Sequence, residues 1–170
     1  MDGLQGRVNR TGLYQKALIA PLSLFETISE VADVNAPDAT RIKIAGDHTF
    51  PVGEGFTTIF TTKDSAQLLA ESIGEFDGKS HNVTLNFFYP GVYDEAMLFA
   101  DKAQYDDFII LVKTLENTWL QVGYKDLGAS VMSNFDSGTL SSGRKGWSFQ
   151  AQAFGRICIY DGQITEKARV

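Results

Sequence analysis

Alternation of apolar and polar side chains with a period of two runs through most of the chain and predicts a mostly β protein. Ile42 and Ile44 alternate with Arg41 and Lys43, the pattern of a strand with one wet face. Phe56 to Thr61 is a second strand, rich in Thr and Phe. Val83, Leu85, Phe87 and Tyr89 alternate with Thr84, Asn86 and Phe88, and Pro90-Gly91 closes that run. Phe108 to Val112 is continuously apolar, which predicts a strand buried on both faces, and Trp119 to Tyr124 is a further strand. From Trp147 to Ile159 the period of two holds without a slip, well past the usual strand length of about five or six residues, with Gly155 as a place for a bend or bulge. A strand that long overruns a small domain, and its overhang needs something to pair with.

Helical spacing is rarer. Asp94 to Gln104 carries an apolar stripe of Ala96, Phe99, Ala100 and Ala103, with Asp94 and Glu95 where the helix dipole favours acids. Ser65 to Ile73 reads as a short helix closed by Gly74. Ser23 to Val31 fits a helical face and a strand about equally, and Asn35 to Asp38 is a turn. About seven strands and one main helix predict a mostly β (α+β) fold, a two-sheet sandwich or barrel-like domain with one flanking helix and long loops. Residues 1–20, polar and Gly-rich at the start, are expected to be a flexible N-terminal arm, and residues 21–170 a single domain. Gly46 to Gly55 forms a loop long enough to project, and Ser137 to Gly146 a small-residue hairpin tip ending in Arg144 and Lys145.

Composition narrows the chemistry. Apolar residues are 44% of the 170, enough for a real core, and a formal net charge of −6 argues against a phosphate-gripping surface while suiting a conduit that phosphate must not stick to. Cys158 is the single cysteine, so no intrachain disulfide forms and a reducing compartment is expected. The first twenty residues lack the apolar run of a signal peptide, and no stretch reaches the eighteen apolar residues of a membrane helix.

Motifs for catalysis are weak. Gly74-Glu-Phe-Asp-Gly78-Lys79-Ser80 imitates a phosphate loop, but its glycines are one residue too close, two carboxylates stand where phosphate would sit, and a strand follows instead of a helix. His48, His81 and Cys158 have no second ligand at metal spacing, and Asp106-Asp107 reads as a solvated strand entrance. The sequons at Asn9 and Asn82 carry weight only in an exported protein. No cofactor or metal site and no enzymatic activity are expected.

The order and spacing of Arg41-Ile-Lys-Ile44, Gly53-Glu-Gly-Phe56, Ile73 to Ser80, Phe88-Tyr-Pro-Gly91, Ser137-Gly138, Gly143 to Phe149 and Tyr160-Asp-Gly162 resemble the major tail tube proteins of long-tailed bacteriophages and the tubes of contractile injection systems. The likeness covers about Thr40 to Gly162, while the first 35 residues match less well. It implies a virion protein of the tail, assembled in the host cytoplasm. Six subunits would close into a ring whose inner strands form one barrel, and rings would stack into a tube through which DNA passes without specific binding. Implied partners are the subunit itself, the tape-measure, terminator and baseplate proteins, and a sheath in contractile members, with no membrane. Within that picture Arg7, Arg10, Asp47, His48, Phe50, Glu54, Arg144 and Lys145 are candidate subunit contacts, and Ser148, Gln150 and Gln152 candidate lumen-facing residues. The competing readings are a tail terminator or baseplate connector that stops at one ring, and a ligand-binding sandwich whose platform would be Trp119, Tyr124 and Trp147.

Overall fold

The computed structural model describes residues 10–32, 35, 37 and 40–168, and these form two β-sheets and one α-helix. In chain order the strands are β1 (Leu13–Pro21), β2 (Lys43–Ile44), β3 (Thr57–Phe60), β4 (Gln67–Ile73), β5 (Ser80–Pro90), β6 (Phe108–Thr114), β7 (Trp119–Val122), β8 (Ser130–Asp136), β9 (Gly146–Phe154) and β10 (Cys158–Tyr160). Helix α1 (Asp94–Lys102) lies between β5 and β6. One sheet has six strands in the order β2-β10-β7-β6-β1-β3, the other four in the order β4-β5-β9-β8. All pairings are antiparallel except β10 with β2. This is the two-sheet sandwich with one helix that the alternation pattern predicts, and it is not a closed barrel.

The inward residues of the four-stranded sheet (Val83, Leu85, Phe87, Phe149, Ala151 and Ala153) meet Ala17, Ile19, Ile110, Val112 and Val122 of the six-stranded sheet. Helix α1 closes this core with Ala100 and Phe99, whose ring meets Phe108 at 5.4 Å and Phe149 at 4.9 Å. A second core covers the other face of the six-stranded sheet, where Leu18, Ala20, Ile109 and Leu111 pack with Ile44, Phe56, Cys158 and Tyr160 under Phe25 and Phe50. The six-stranded sheet is therefore buried on both faces, which is why Phe108 to Val112 is apolar without interruption. The four-stranded sheet is buried on one face only.

Four expectations change. The arm does not extend to residue 20: β1 begins at Leu13, and Ala17 to Ala20 sit fully buried between β3 and β6. Ser65 to Ile73 is not a helix, because β4 pairs with β5 over seven residues and Gly74, at φ +99°, makes a hairpin turn rather than a helix end. The Trp147 to Ile159 run is two strands. β9 ends at Phe154, Gly155 takes φ +126° with the Tyr124 ring against it, and β10 continues in the opposite sheet. A chain crossing between sheets keeps its period of two, so the sequence cannot mark the crossing except by that glycine. Finally, the Gly46–Gly55 loop is held to the domain through buried His48 and Gly55 and half-buried Phe50, while Val52 and Gly53 at its tip stand exposed. The Ser23–Val31 ambiguity resolves as a 3-10 turn at Leu22–Leu24 followed by irregular chain with one bridge from Thr27 to Thr49.

Phe149 stacks on Phe87 at 5.2 Å, meets Phe99 and is 2% exposed, so Phe149→Ala should cost about 3–5 kcal/mol. Chemical denaturation should show that loss, while Phe154→Ala, on the outer face, should change stability by less than about 1 kcal/mol.

Candidate assembly interface

The open face of the four-stranded sheet is set by the alternation of its strands. Outward from β9 point Ser148, Gln150, Gln152 and Phe154, and beside them lie Asn82, Thr84, Asn86 and Phe88 of β5. Leu69, Glu71 and Ile73 of β4 and Met132, Asn134 and Asp136 of β8 complete the surface. Amides and hydroxyls dominate it. Gln152 Nε2 donates to Asn82 Oδ1 at 3.0 Å, and the charges within the strands on this face are the carboxylates of Glu71 and Asp136. Phe88 is the buried exception, capped by the Arg144 guanidinium 4.7 Å above its ring. The three residues expected to face a lumen thus share one uncovered polar surface.

The edges of this sheet follow from its hydrogen-bond phase. Gly91 N–H donates to Lys145 O and Gly155 N–H to His81 O, so odd residues of β5 direct their backbone groups at β9 and even ones at β4. Carried across the registers, this turns the backbone groups of Leu68, Ala70 and Ser72 outward on β4, and those of Val131, Ser133 and Phe135 outward on β8. Among the described residues no strand lies beside either edge. Both edges are seven residues long and contain no Pro, no Lys and no register break, the devices that usually blunt such edges.

The other candidate contacts are scattered. Arg7 lies outside the described residues, and Arg10 donates its backbone N–H to Glu116 Oε1 at 3.1 Å. Asp47 is exposed and bonded within the chain, its Oδ1 accepting from Gln163 N–H at 2.7 Å. Glu54 pairs with Lys167 at 2.7 Å, and Lys145 offers its carbonyl to Gly91. His48 and Phe50 are a correction. His48 is 2% exposed, and Phe50 packs on Phe25 at 4.5 Å and Phe56 at 5.1 Å, so both hold the loop to the second core instead of facing a neighbour. Trp119 and Tyr124 pack on that same core while Trp147 packs on the other, so the three do not make one platform. Among the described residues no group of three His, Cys, Asp or Glu side chains is placed to hold a metal ion.

The strand β8 and both bare edges escaped the reading of the sequence. The only signal was the weak alternation in Ser-Val-Met-Ser-Asn-Phe-Asp, and nothing local distinguishes an edge strand from an inner one. Comparison of the chain with family models, curated proteins and solved structures finds no match.

His48 is a buried titratable clasp of the loop. Its Nδ1 accepts from Ser29 N–H at 3.1 Å, which leaves Nε2 protonated and donating to Gln121 Oε1 at 2.8 Å, and the ring stacks on Tyr160 at 4.7 Å. Burial pushes its pKa below the ordinary 6.5, outweighing the opposite pull of the Gln121 hydrogen bond and Asp47. The unfolded chain therefore takes up this proton first as pH falls, so stability is full above pH 6.5 and declines below it. Melting temperature measured from pH 8 to 5 should stay level and then drop in wild type. The His48→Gln variant should start lower and lose the part of that drop due to this group.

Proposed function

We propose that the chain is a structural subunit that assembles head to tail into rings stacked as a tube, the role its resemblance to tail tube proteins implies. The observation that carries this reading is the pair of equal, unblunted edges on a sheet whose outer face is polar and uncovered. Across β4, β5, β9 and β8 the strand direction alternates, so β4 and β8 are antiparallel to each other. A neighbour's β4 laid against β8 continues the same alternation, and a rotation that closes leaves no edge at all.

The long Trp147 strand no longer supports assembly, since β9 is flanked on both sides and its continuation belongs to the other sheet. The edges take its place. With six copies the inner wall would contain roughly two dozen strands, a circumference that leaves an open channel wider than any eight-stranded barrel. A lining of amides and hydroxyls, interspersed with exposed Leu69, Ile73, Met132 and Phe154 and with Glu71 and Asp136 as the charges within its strands, offers polyanionic DNA no cation there to adhere to. The ring-to-ring contacts would fall to the ends of the sandwich, where Val52, Phe76 and Leu140 stand almost fully exposed.

Negative-stain microscopy of the purified protein should show rings or tubes with a stain-filled centre. Ala70→Pro is the matched control. Ala70 N–H points out of its own sheet, so proline there removes only the donor that a neighbour would use. The variant should stay folded and lose the rings. A wild-type protein that stays monomeric at high concentration in every salt condition would overturn the proposal.

A further inference from the structure

We infer that β8 of one copy pairs with β4 of the next over their full length, Phe135 opposite Leu68 and Ser130 opposite Ile73. This rests on the tube reading and specifies its ring-closing contact. The outward backbone groups of Val131, Ser133 and Phe135 then face those of Ser72, Ala70 and Leu68 as three hydrogen-bonded pairs, and the outer faces of the two copies stay continuous.

Three independent features select this register. The first is barrel geometry. Inside one subunit Gln67, Asn86, Gln150 and Met132 are successive partners and mark a line straight across the sheet. Full overlap puts Met132 opposite Glu71 of the next copy, so the line enters the next subunit four residues further along β4. Four residues over four strands is a shear of about one per strand, the ratio found in eight-stranded barrels of shear 8, whose strands tilt about 36°. Slipping the edges by two residues either way changes the tilt to about 20° or about 47°, outside the usual range of about 35–45°, and shortens the overlap. The hand is also right. With β5 running upward and the polar face toward the viewer, the backbone phase of L-residues places β4 on its right and β8 on the left. Closing the ring with that face inward gives the strand tilt that the natural sheet twist demands, and closing it outward gives the opposite tilt.

The second feature is the apolar seam. Phe135 is 45% exposed at the β8 edge on the core side, packed on Trp147 at 5.1 Å, and full overlap sets it beside half-buried Leu68. Next along come Ser133 with Ala70 and Val131 with Ser72, small partners that leave the phenyl ring room. The third is charge. Full overlap sets Glu71 across from Met132 and Asp136 across from Gln67, whereas a slip of four residues would oppose the two carboxylates directly.

Disulfide trapping reads the register. Asn134 and Leu69 form a non-hydrogen-bonded pair in this register, with Cα atoms about 4.5 Å apart, inside the range a disulfide spans. A chain carrying Asn134→Cys and Leu69→Cys should, on mild oxidation of preformed assemblies, yield covalent multimers at least about tenfold faster than Asn134→Cys with Gln67→Cys or with Glu71→Cys. All three pairs lie on the solvent-facing surface, and Cys158 is buried in each. Faster trapping by either shifted pair, in assemblies that microscopy shows to be intact rings, would overturn the register and leave the tube reading standing. Absence of rings in the wild type would instead remove the tube reading and this inference with it.

Discussion

Backbone hydrogen bonding at a sheet edge is the constraint on which the rest of this structure turns. The six-stranded sheet meets it internally. Its ends are short, β2 with two residues and β3 with four, and the segment around Glu166 bridges to Phe56 at the start of β3. Both of its faces are covered, one by the second sheet and one by the folded-back loop that His48 clasps. The four-stranded sheet is built differently. Its two inner strands are long and flanked on both sides, and its two outer strands are equal in length, with no Pro, no Lys and one carboxylate each along their edges.

That asymmetry gives the sandwich a rigid side and an unfinished side. The rigid side includes α1 and most of the aromatic contacts, from the Phe99–Phe149 pair in one core to the Phe25–Phe50–Phe56 cluster in the other. The unfinished side has amides, hydroxyls, two carboxylates and four exposed apolar side chains on its face and outward-pointing peptide groups at its margins. A surface of this kind would be costly in a monomer, because open edges template aggregation. In the proposed ring the same edges become the bond between subunits, and the polar face becomes the channel wall.

Much of the fold was legible in the sequence because burial writes directly onto periodicity. Val83 to Tyr89 and Phe108 to Val112 announced strands of different burial, and Asp94 to Lys102 formed the helix its stripe predicted. The misses share one cause, the dependence of an element on partners remote in sequence. Leu13 to Pro21 looks like part of an arm until β3 and β6 flank it, and Gln67 to Ile73 looks helical until β5 pairs with all of it. The Trp147 run reads as one strand because a crossing between sheets at Gly155 preserves the alternation. Of the candidate site, Ser148, Gln150 and Gln152 were recognisable by their phase. The edges were not, since whether a strand has one neighbour or two is a property of topology.

The central claim is that the bare edges of the four-stranded sheet complete one another between copies. Hydrogen–deuterium exchange across a concentration series, from dilute protein to assembled material, tests it most directly. The account predicts that added protection on assembly is greatest at the outward amides of Leu68, Ala70 and Ser72 on β4 and of Val131, Ser133 and Phe135 on β8. Assembly that leaves those six amides exchanging as in the dilute protein, or protects β3 in their place, would contradict it.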